Sequence, residues 1–387
     1  MNRSGAVSLF LLAIFAIRTD DALAAEYDYE IVWRGALDDF QAKPVLANDG
    51  SFTWGGHGPV GNERVPGVFR WKQGETAALI DFRGRFETVF SLAVSPGGEG
   101  VAFSTVPVDT PDGIYAYELD AGQPRLIAAP QETGGNVFLD AVNDRGDALI
   151  NVATFTPPAT HGNTEFIYRG GTLTSFAAFT NLPTVFGGGS INNSGLVGFQ
   201  VGEYLGPRKT LLIDEHAATP VLEYPEDGIL FSPPLMNDAG GFTFHGTVGE
   251  SRGVFDWNAG IITPLTIEPP GPPIYQGAPL FNRVGGVLIN TLDGLLAGFS
   301  PTDVVFPYEP PGFSYEFVLG DLRLTSFQEY GFNDRGQIWA MMNVTSPTGR
   351  TLEWVVVLAT PVPEPAGVAG LMAVLAAAAI WRRPRVL

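Results

Sequence analysis

The chain has 387 residues, 41 acidic against 22 basic, a formal net charge of −19 and no cysteine. That charge repels polyanions and argues against unspecific binding of nucleic acid or anionic lipid. The lack of cysteine excludes a disulfide framework. A 45% hydrophobic fraction with 27 Phe excludes general disorder, and 48 Gly with 31 Pro favours short strands and turns over helices.

Residues 1–25 read as a secretory signal. Arg3 supplies the basic start, Ala6 to Ile17 the apolar stretch, and Ala22-Leu23-Ala24 a small-residue cleavage site. Arg18, Asp20 and Asp21 make its last section unusually charged. The mature chain then starts at Ala25 or Glu26. Tyr27 to Trp33 follows as an isolated strand-like segment.

From there to residue 360 one phrase recurs: Asn, two residues, Gly, then alternating apolar positions. It stands at Asn143 to Gly146, Asn192 to Gly195, Asn237 to Gly240, Asn282 to Gly285 and Asn333 to Gly336. Degenerate copies are Ala47-Asn48-Asp49-Gly50 and Ser95-Pro96-Gly97-Gly98. The anchoring glycines are separated by 48, 48, 49, 45, 45 and 51 residues. Asn bonds its side chain to nearby backbone and opens a turn, Gly closes it, and the alternation is that of a half-buried strand. Each unit therefore starts with a hairpin, strands A and B. A second phrase marks strand C, as in Gly67-Val68-Phe69-Arg70-Trp71 or Gly253-Val254-Phe255-Asp256-Trp257, and a short apolar run such as Ala77 to Ile80 marks strand D.

Four strands every 40–50 residues is the arithmetic of a β-propeller. The expectation is an all-β chain: a seven-bladed β-propeller of four-stranded blades over residues 26–360. The last unit lacks strand D before residue 361, and Tyr27 to Trp33 is expected to supply it and close the ring. An open β-solenoid and a pair of β-sandwiches are the rival architectures. No WD-dipeptide or kelch signature is present. The body carries 17 basic and 38 acidic residues, a charge of −21, so the acidity belongs to the repeats.

Functional residues are expected on the variable B–C and D–A connections rather than on the uniform A–B turns. The B–C connections are placed at 55–66, 104–112, 152–164 and 201–208. The candidate binding rim is His57, Asp109, His161, Tyr204 and Arg208. The four histidines lack metal-ligand spacing, and no nucleophile elbow or phosphate loop occurs. No catalytic, cofactor-binding or metal-ligating residue is assigned. Calcium loosely held by the acidic shell is the one cation considered.

After the body comes Pro363-Glu364-Pro365, an uncharged apolar run from Ala366 to Trp381, and the basic cluster Arg382, Arg383 and Arg385. As a helix the run rises about 24 Å, just short of the hydrocarbon core, with the arginines held cytoplasmic. A C-terminal hydrophobic helix is expected over 361–387. This end resembles the PEP-CTERM sorting signal of exported bacterial proteins. The resemblance implies a Gram-negative-type envelope, partnership with the secretion machinery and an exosortase, cleavage near the Pro-Glu-Pro motif, and association with exopolysaccharide. The functional expectation is a non-enzymatic binding or scaffold protein at the cell surface or in the extracellular matrix. The alternative is a carbohydrate-active hydrolase or lyase using carboxylates on the loop rim.

Overall fold

The computed structural model describes residues 27–36, 39–110, 113–156, 160–176, 185–202, 208–214, 218–224, 234–267, 280–284, 286–291, 294–298, 303–307, 317–319, 322–345 and 351–362. The expected signal sequence, Tyr204, Gly285 and the expected C-terminal helix with Pro363, Glu364, Pro365, Arg382, Arg383 and Arg385 lie outside them.

Among the described residues alternating apolar positions build twenty-nine strands. The opening strand is β1 (Tyr27–Gly35). Four antiparallel strands then form each of six sheets. These are β2 (Phe40–Leu46), β3 (Phe52–Val60), β4 (Glu63–Lys72) and β5 (Glu75–Asp81); then β6 (Phe86–Val94), β7 (Val101–Pro107), β8 (Tyr115–Asp120) and β9 (Gln123–Ala128). After a single helical turn, α1 (Pro130–Thr133), come β10 (Asn136–Val142), β11 (Ala148–Thr156), β12 (Thr160–Arg169) and β13 (Thr172–Ser175). The fourth and fifth sheets are β14 (Val185–Ile191), β15 (Val197–Gly202), β16 (Arg208–Ile213) and β17 (Ala218–Tyr224), and β18 (Leu235–Met236), β19 (Phe242–Val248), β20 (Ser251–Asn258) and β21 (Ile261–Ile267). The sixth is β22 (Leu280–Phe281), β23 (Val287–Thr291), β24 (Gly294–Gly298) and β25 (Asp303–Pro307).

The remaining sheet departs from the expected four strands. It holds β26 (Phe317–Leu319), β27 (Leu322–Phe332), β28 (Ile338–Thr345), β29 (Thr351–Pro361) and β1, in the order β1-β29-β28-β27-β26. Its extra member arises because Leu319 pairs with Leu322, so the approach to strand A doubles back as a hairpin of its own. On its other side β1 pairs antiparallel with β29, Tyr27 opposite Pro361 and Gly35 opposite Trp354. The first described strand thus covers the edge that the last unit leaves open, and an uncovered edge would be a template for aggregation.

The sheets pack face to face. One buried cluster joins Phe52, Trp54 and Phe69 to Trp339, Met341, Val356 and Leu358, so the last sheet packs on the first. Another joins Val68 and Phe82 to Val89 and Phe103, and a third joins Ala102 and Ile127 to Val137 and Ile150. Leu149 and Ile167 meet Ile191 and Phe199, Met236 and Phe244 meet Leu196 and Leu212, Val254 meets Val287, and Leu288 meets Leu324 and Ala340. Each sheet is covered by its neighbours on both faces, which makes the chain an all-β propeller.

All four segments read as B–C loops are partly strand: of 104–112, residues 104–107 belong to β7, and of 201–208, residues 201–202 belong to β15 and Arg208 to β16. Residues 55–60 belong to β3 and 63–66 to β4, so the expected B–C loop 55–66 shrinks to Gly61-Asn62. The run Gly55-Gly56-His57-Gly58-Pro59 looks like turn chemistry, but its glycines serve close packing. A Cβ on Gly56, at φ +146, would sit 1.8 Å from the Asp39 carbonyl oxygen, and one on Gly58 would strike the Phe69 ring. Likewise 152–156 and 160–164 are strand, leaving 157–159 between them.

Trp33 joins β1 to the first sheet: it is 7% exposed, and its ring meets that of Phe40 edge-on at 4.3 Å. Trp33→Ala is expected to cost about 3 kcal/mol, the lower range for a buried aromatic, measured as a shift in the urea midpoint.

Candidate functional site

The A–B turns converge on one face and bond to one another. Within a turn, the Asn143 Oδ1 accepts the N–H groups of Arg145 (3.0 Å) and Asp147 (2.9 Å), and the Gly146 N–H bonds the Asn143 carbonyl (3.1 Å). The Asn143 Nδ2 points the other way and donates to the carbonyl of Asn192 in the next unit (2.9 Å). Asn192 donates to Asn237 (2.9 Å), Asn282 to Asn333 (3.1 Å) and Asn333 to Ala47 (2.8 Å). A carboxamide suits this role because one end accepts and the other donates.

The second turn position adds a parallel link. Asp144 accepts the Gly97 N–H (2.6 Å), Asp238 that of Asn193 (2.9 Å) and Asp334 that of Arg283 (2.7 Å). Asn48 and Asp334 exchange two bonds, Asn48 Nδ2 to Asp334 Oδ2 (2.7 Å) and the Asp334 N–H to Asn48 Oδ1 (2.9 Å). The degenerate copies use backbone: the Asn48 N–H donates to the Pro96 carbonyl (2.7 Å). Burial alone would raise the Asp49 carboxyl, but hydrogen bonds from Lys72 and Ser51 outweigh it and hold it below its ordinary value.

Four arginines brace this face, of which Arg145 donates to the Ser194 carbonyl of the next turn (2.8 Å). Arg70 and Arg169, both on C strands, donate to the carbonyls of Gly98 and Gly195 in the following turns. Arg283 spans further: its guanidinium donates to the Ile191 carbonyl (2.8 Å) two units back and lies 3.5 Å from Asp238. Burial lowers its affinity for the proton, and the charges of Asp238, Asp334 and Asp144 oppose that. Beside it a cavity of about 210 Å³ has walls of Leu46, Val94, Leu235 and Phe332, with Asn48, Arg283 and Asp334 among its polar lining.

The opposite face carries the B–C and D–A connections. His57 lies inside β3 opposite Pro66, its carbonyl accepting the Trp54 indole N–H (3.3 Å). It is therefore a half-buried strand residue, not a loop residue. His161 lies on β12 opposite Phe155, and Arg208 opens β16 between Gly202 and Tyr224. Asp109 sits exposed in the turn after β7. The four described candidates thus stand one in each of four units. Neighbouring rim charges are held in ion pairs: Arg64 with Asp39, and Arg83 with Glu63 (2.6 Å) and Asp81 (2.5 Å). Among the described residues no group of three His, Asp or Glu side chains could hold a metal ion.

Between the faces lies a carboxylate pair that sequence reading missed. Asp140 leaves strand β10 at a bulge between Leu139 and Ala141, where its side chain reaches solvent while the strands around it hem it in. That crowding raises its pKa to about 6, against a hydrogen bond from the Gly189 N–H of the next sheet. Glu165, on β12, is fully buried; its Oε1 accepts from Asn151 Nδ2 (2.6 Å) and its Oε2 has no hydrogen-bond partner. Burial, then the charge of Asp140, holds Glu165 well above the usual carboxylate range. Glu165 shares parity with Ile167, a cue to an inward charge, but the bulge hides Asp140 from any periodicity.

Asn143→Ala removes two acceptor bonds and the two donor bonds, to Asn192 and to Asp147, at a fully buried site. It should cost about 2–4 kcal/mol in chemical denaturation, whereas exposed Arg335→Ala should stay within about 0.5 kcal/mol. A second expectation concerns pH. Raised folded-state pKa values mean that the native state binds more protons, so this pair's contribution falls as pH rises from about 4 through about 6 and above. Glu165→Gln should raise the denaturation midpoint at pH 7.5 and flatten its dependence on pH.

No protein-family model matches the chain, and no curated protein matches it. Among solved structures it is similar to a gluconolactonase from Xanthomonas campestris, at 16% identity over 70% of this chain and 90% of that one, with a TM-score of 0.38. It is also similar to the β-propeller domain of the Trilobed protease from Pyrococcus furiosus, described as having an open velcro topology (12% identity, 68% and 82% coverage, TM-score 0.44). A third is a puromycin-hydrolyzing peptidase of Mycobacterium tuberculosis (12% identity, TM-score 0.47); the match covers 85% of this chain and 56% of the peptidase, so the chain spans about half that protein's length. Likeness at these scores carries no statement about activity.

Proposed function

We propose that this chain is an exported, non-enzymatic binding or scaffold protein of the cell surface or extracellular matrix, built as one closed ring of seven blades and acting in association with exopolysaccharide. Export rests on the two terminal sequences, the second by its likeness to the PEP-CTERM signal.

One observation carries the binding reading: the contrast between the two faces. Six of the seven A–B turns have five residues, and four C–D turns have two. On the other rim the B–C connections run from two residues (61–62) to seven (108–114), and the D–A connections from four (82–85) to twelve (268–279). Uniform turns on one face serve the ring; variable connections on the other are where a scaffold displays recognition groups. In the chain, Tyr204 falls in the B–C connection 203–207 and Arg208 follows it as the first residue of β16.

Asp140 favours a second reading. A carboxyl that solvent can reach, with its pKa raised to about 6, has the protonation behaviour of a general acid for a hydrolase or lyase. Its neighbour Glu165 is too buried to touch a sugar.

The test is a glycan array probed with residues 26–362, with calcium added and with chelator. Binding is expected, with the double change Tyr204→Ala and Arg208→Ala weakening it about tenfold, as for an aromatic and arginine hot spot, and Arg335→Ala leaving it unchanged. Binding by neither preparation counts against the binding role. Release of reducing ends or unsaturated sugars that Asp140→Asn abolishes would establish the enzyme instead.

A further inference from the structure

We infer that the face bearing the A–B turns is the one the protein presents to a phospholipid bilayer while its C-terminal segment is still attached, with the variable rim pointing away. This rests on the membrane-directed reading of residues 361–387 given above.

The geometry comes from β29 and β1. Strand β29 starts at the B–C side and ends at Pro361 beside the last A–B turn. Ile338, the first residue after that turn, pairs with Ala359, and Gln337 Nε2 donates to Thr360 Oγ1 (3.2 Å). A Cβ on Gly336 would lie 3.6 Å from the Pro361 ring. Because Tyr27 pairs with Pro361, the mature N-terminus leaves from the same face. Both ends of the body therefore emerge where the turns are.

The tether is short. Only Val362, Pro363, Glu364 and Pro365 separate Pro361 from the uncharged run that starts at Ala366. Even fully extended they reach about 17 Å, less than the hydrocarbon thickness itself. With the run in a bilayer, a body of this size cannot turn its far rim to the lipid on such a leash.

The chemistry of the face fits that position. The seven A–B turns bring six carboxylates (Asp49, Glu99, Asp144, Asp147, Asp238, Asp334) and three guanidinium groups (Arg145, Arg283, Arg335). Six against three is a net −3 in a chain of net charge −19, so most of the repulsion from anionic headgroups comes from elsewhere. At the tip of one turn the apolar side chain of Val284 is 54% exposed.

The absence of cysteine allows single-site labelling. Full-length chain carrying Val284→Cys or Arg335→Cys on the turn face, or Asn62→Cys or Asp109→Cys on the rim, is labelled with an environment-sensitive dye. It is then reconstituted in phosphatidylcholine–phosphatidylglycerol vesicles containing headgroup-spin-labelled lipid. The turn-face labels should be quenched at least about threefold more than the rim labels, as interfacial contact requires. Chain lacking 363–387 should not float with the vesicles, and its labels should show no such difference. If full-length chain floats but the rim labels are quenched equally or more, the orientation is overturned and the membrane reading stands. If full-length chain does not float, the membrane reading fails and the orientation falls with it.

Discussion

The structure depends on a buried carboxamide used at both ends. In Asn143 the oxygen folds its own turn and the nitrogen holds the next one. Neither task could be left undone, because an unpaired buried amide costs about 1–3 kcal/mol. The same side chain therefore specifies local conformation and the spacing of neighbouring sheets. Where the asparagine is missing, other groups substitute: Ser95 Oγ accepts the Gly100 N–H (3.0 Å), and Asn48, one position later, exchanges two bonds with Asp334. The bonds between residues 47–48 and 333–334 join the two ends of the repeat array with the chemistry used inside it.

This polar girdle and the apolar clusters divide the work. Clusters such as Phe52, Trp54 and Trp339 supply the bulk of the burial but little angular precision, since apolar contacts are non-directional. The hydrogen bonds between turns supply direction. Inner-strand side chains do the same deeper down: the Gln41 side chain accepts the Val89 N–H (3.2 Å), and Ser91 Oγ that of Leu139 (2.8 Å). Asp140 holds the Gly189 N–H in the same way, 49 residues along. That comparison gives Asp140 a structural task whatever else it does. The unpartnered Oε2 of Glu165 beside it has no such counterpart.

Much of this was legible in the sequence because it is local. Asn-x-x-Gly is a turn wherever it occurs, alternation such as Phe242 and Phe244 marks a half-buried strand, and a missing fourth strand after Val357 pointed to the spare one at Tyr27. The candidate rim was less legible. His57 looked like a loop residue because glycine in a turn and glycine against a neighbouring sheet read identically, and only the positions of Asp39 and Phe69 tell them apart. The hairpin that adds β26 pairs Leu319 with Leu322 across Gly320-Asp321, a two-residue turn signal that the reading of the sequence passed over.

The repeat, the turn chemistry, the class of fold and the acidic character of the body could all be read before any coordinates, because each follows from spacing or composition. Tertiary structure alone decided which side chains reach across units. Arg283 meets Ile191, Asp140 influences Glu165, and the two chain ends leave from the face of the turns. Those facts depend on the rotation between successive sheets and on bulges in the inner strands. Such bulges shift a side chain from one face to the other without altering the alternation around it.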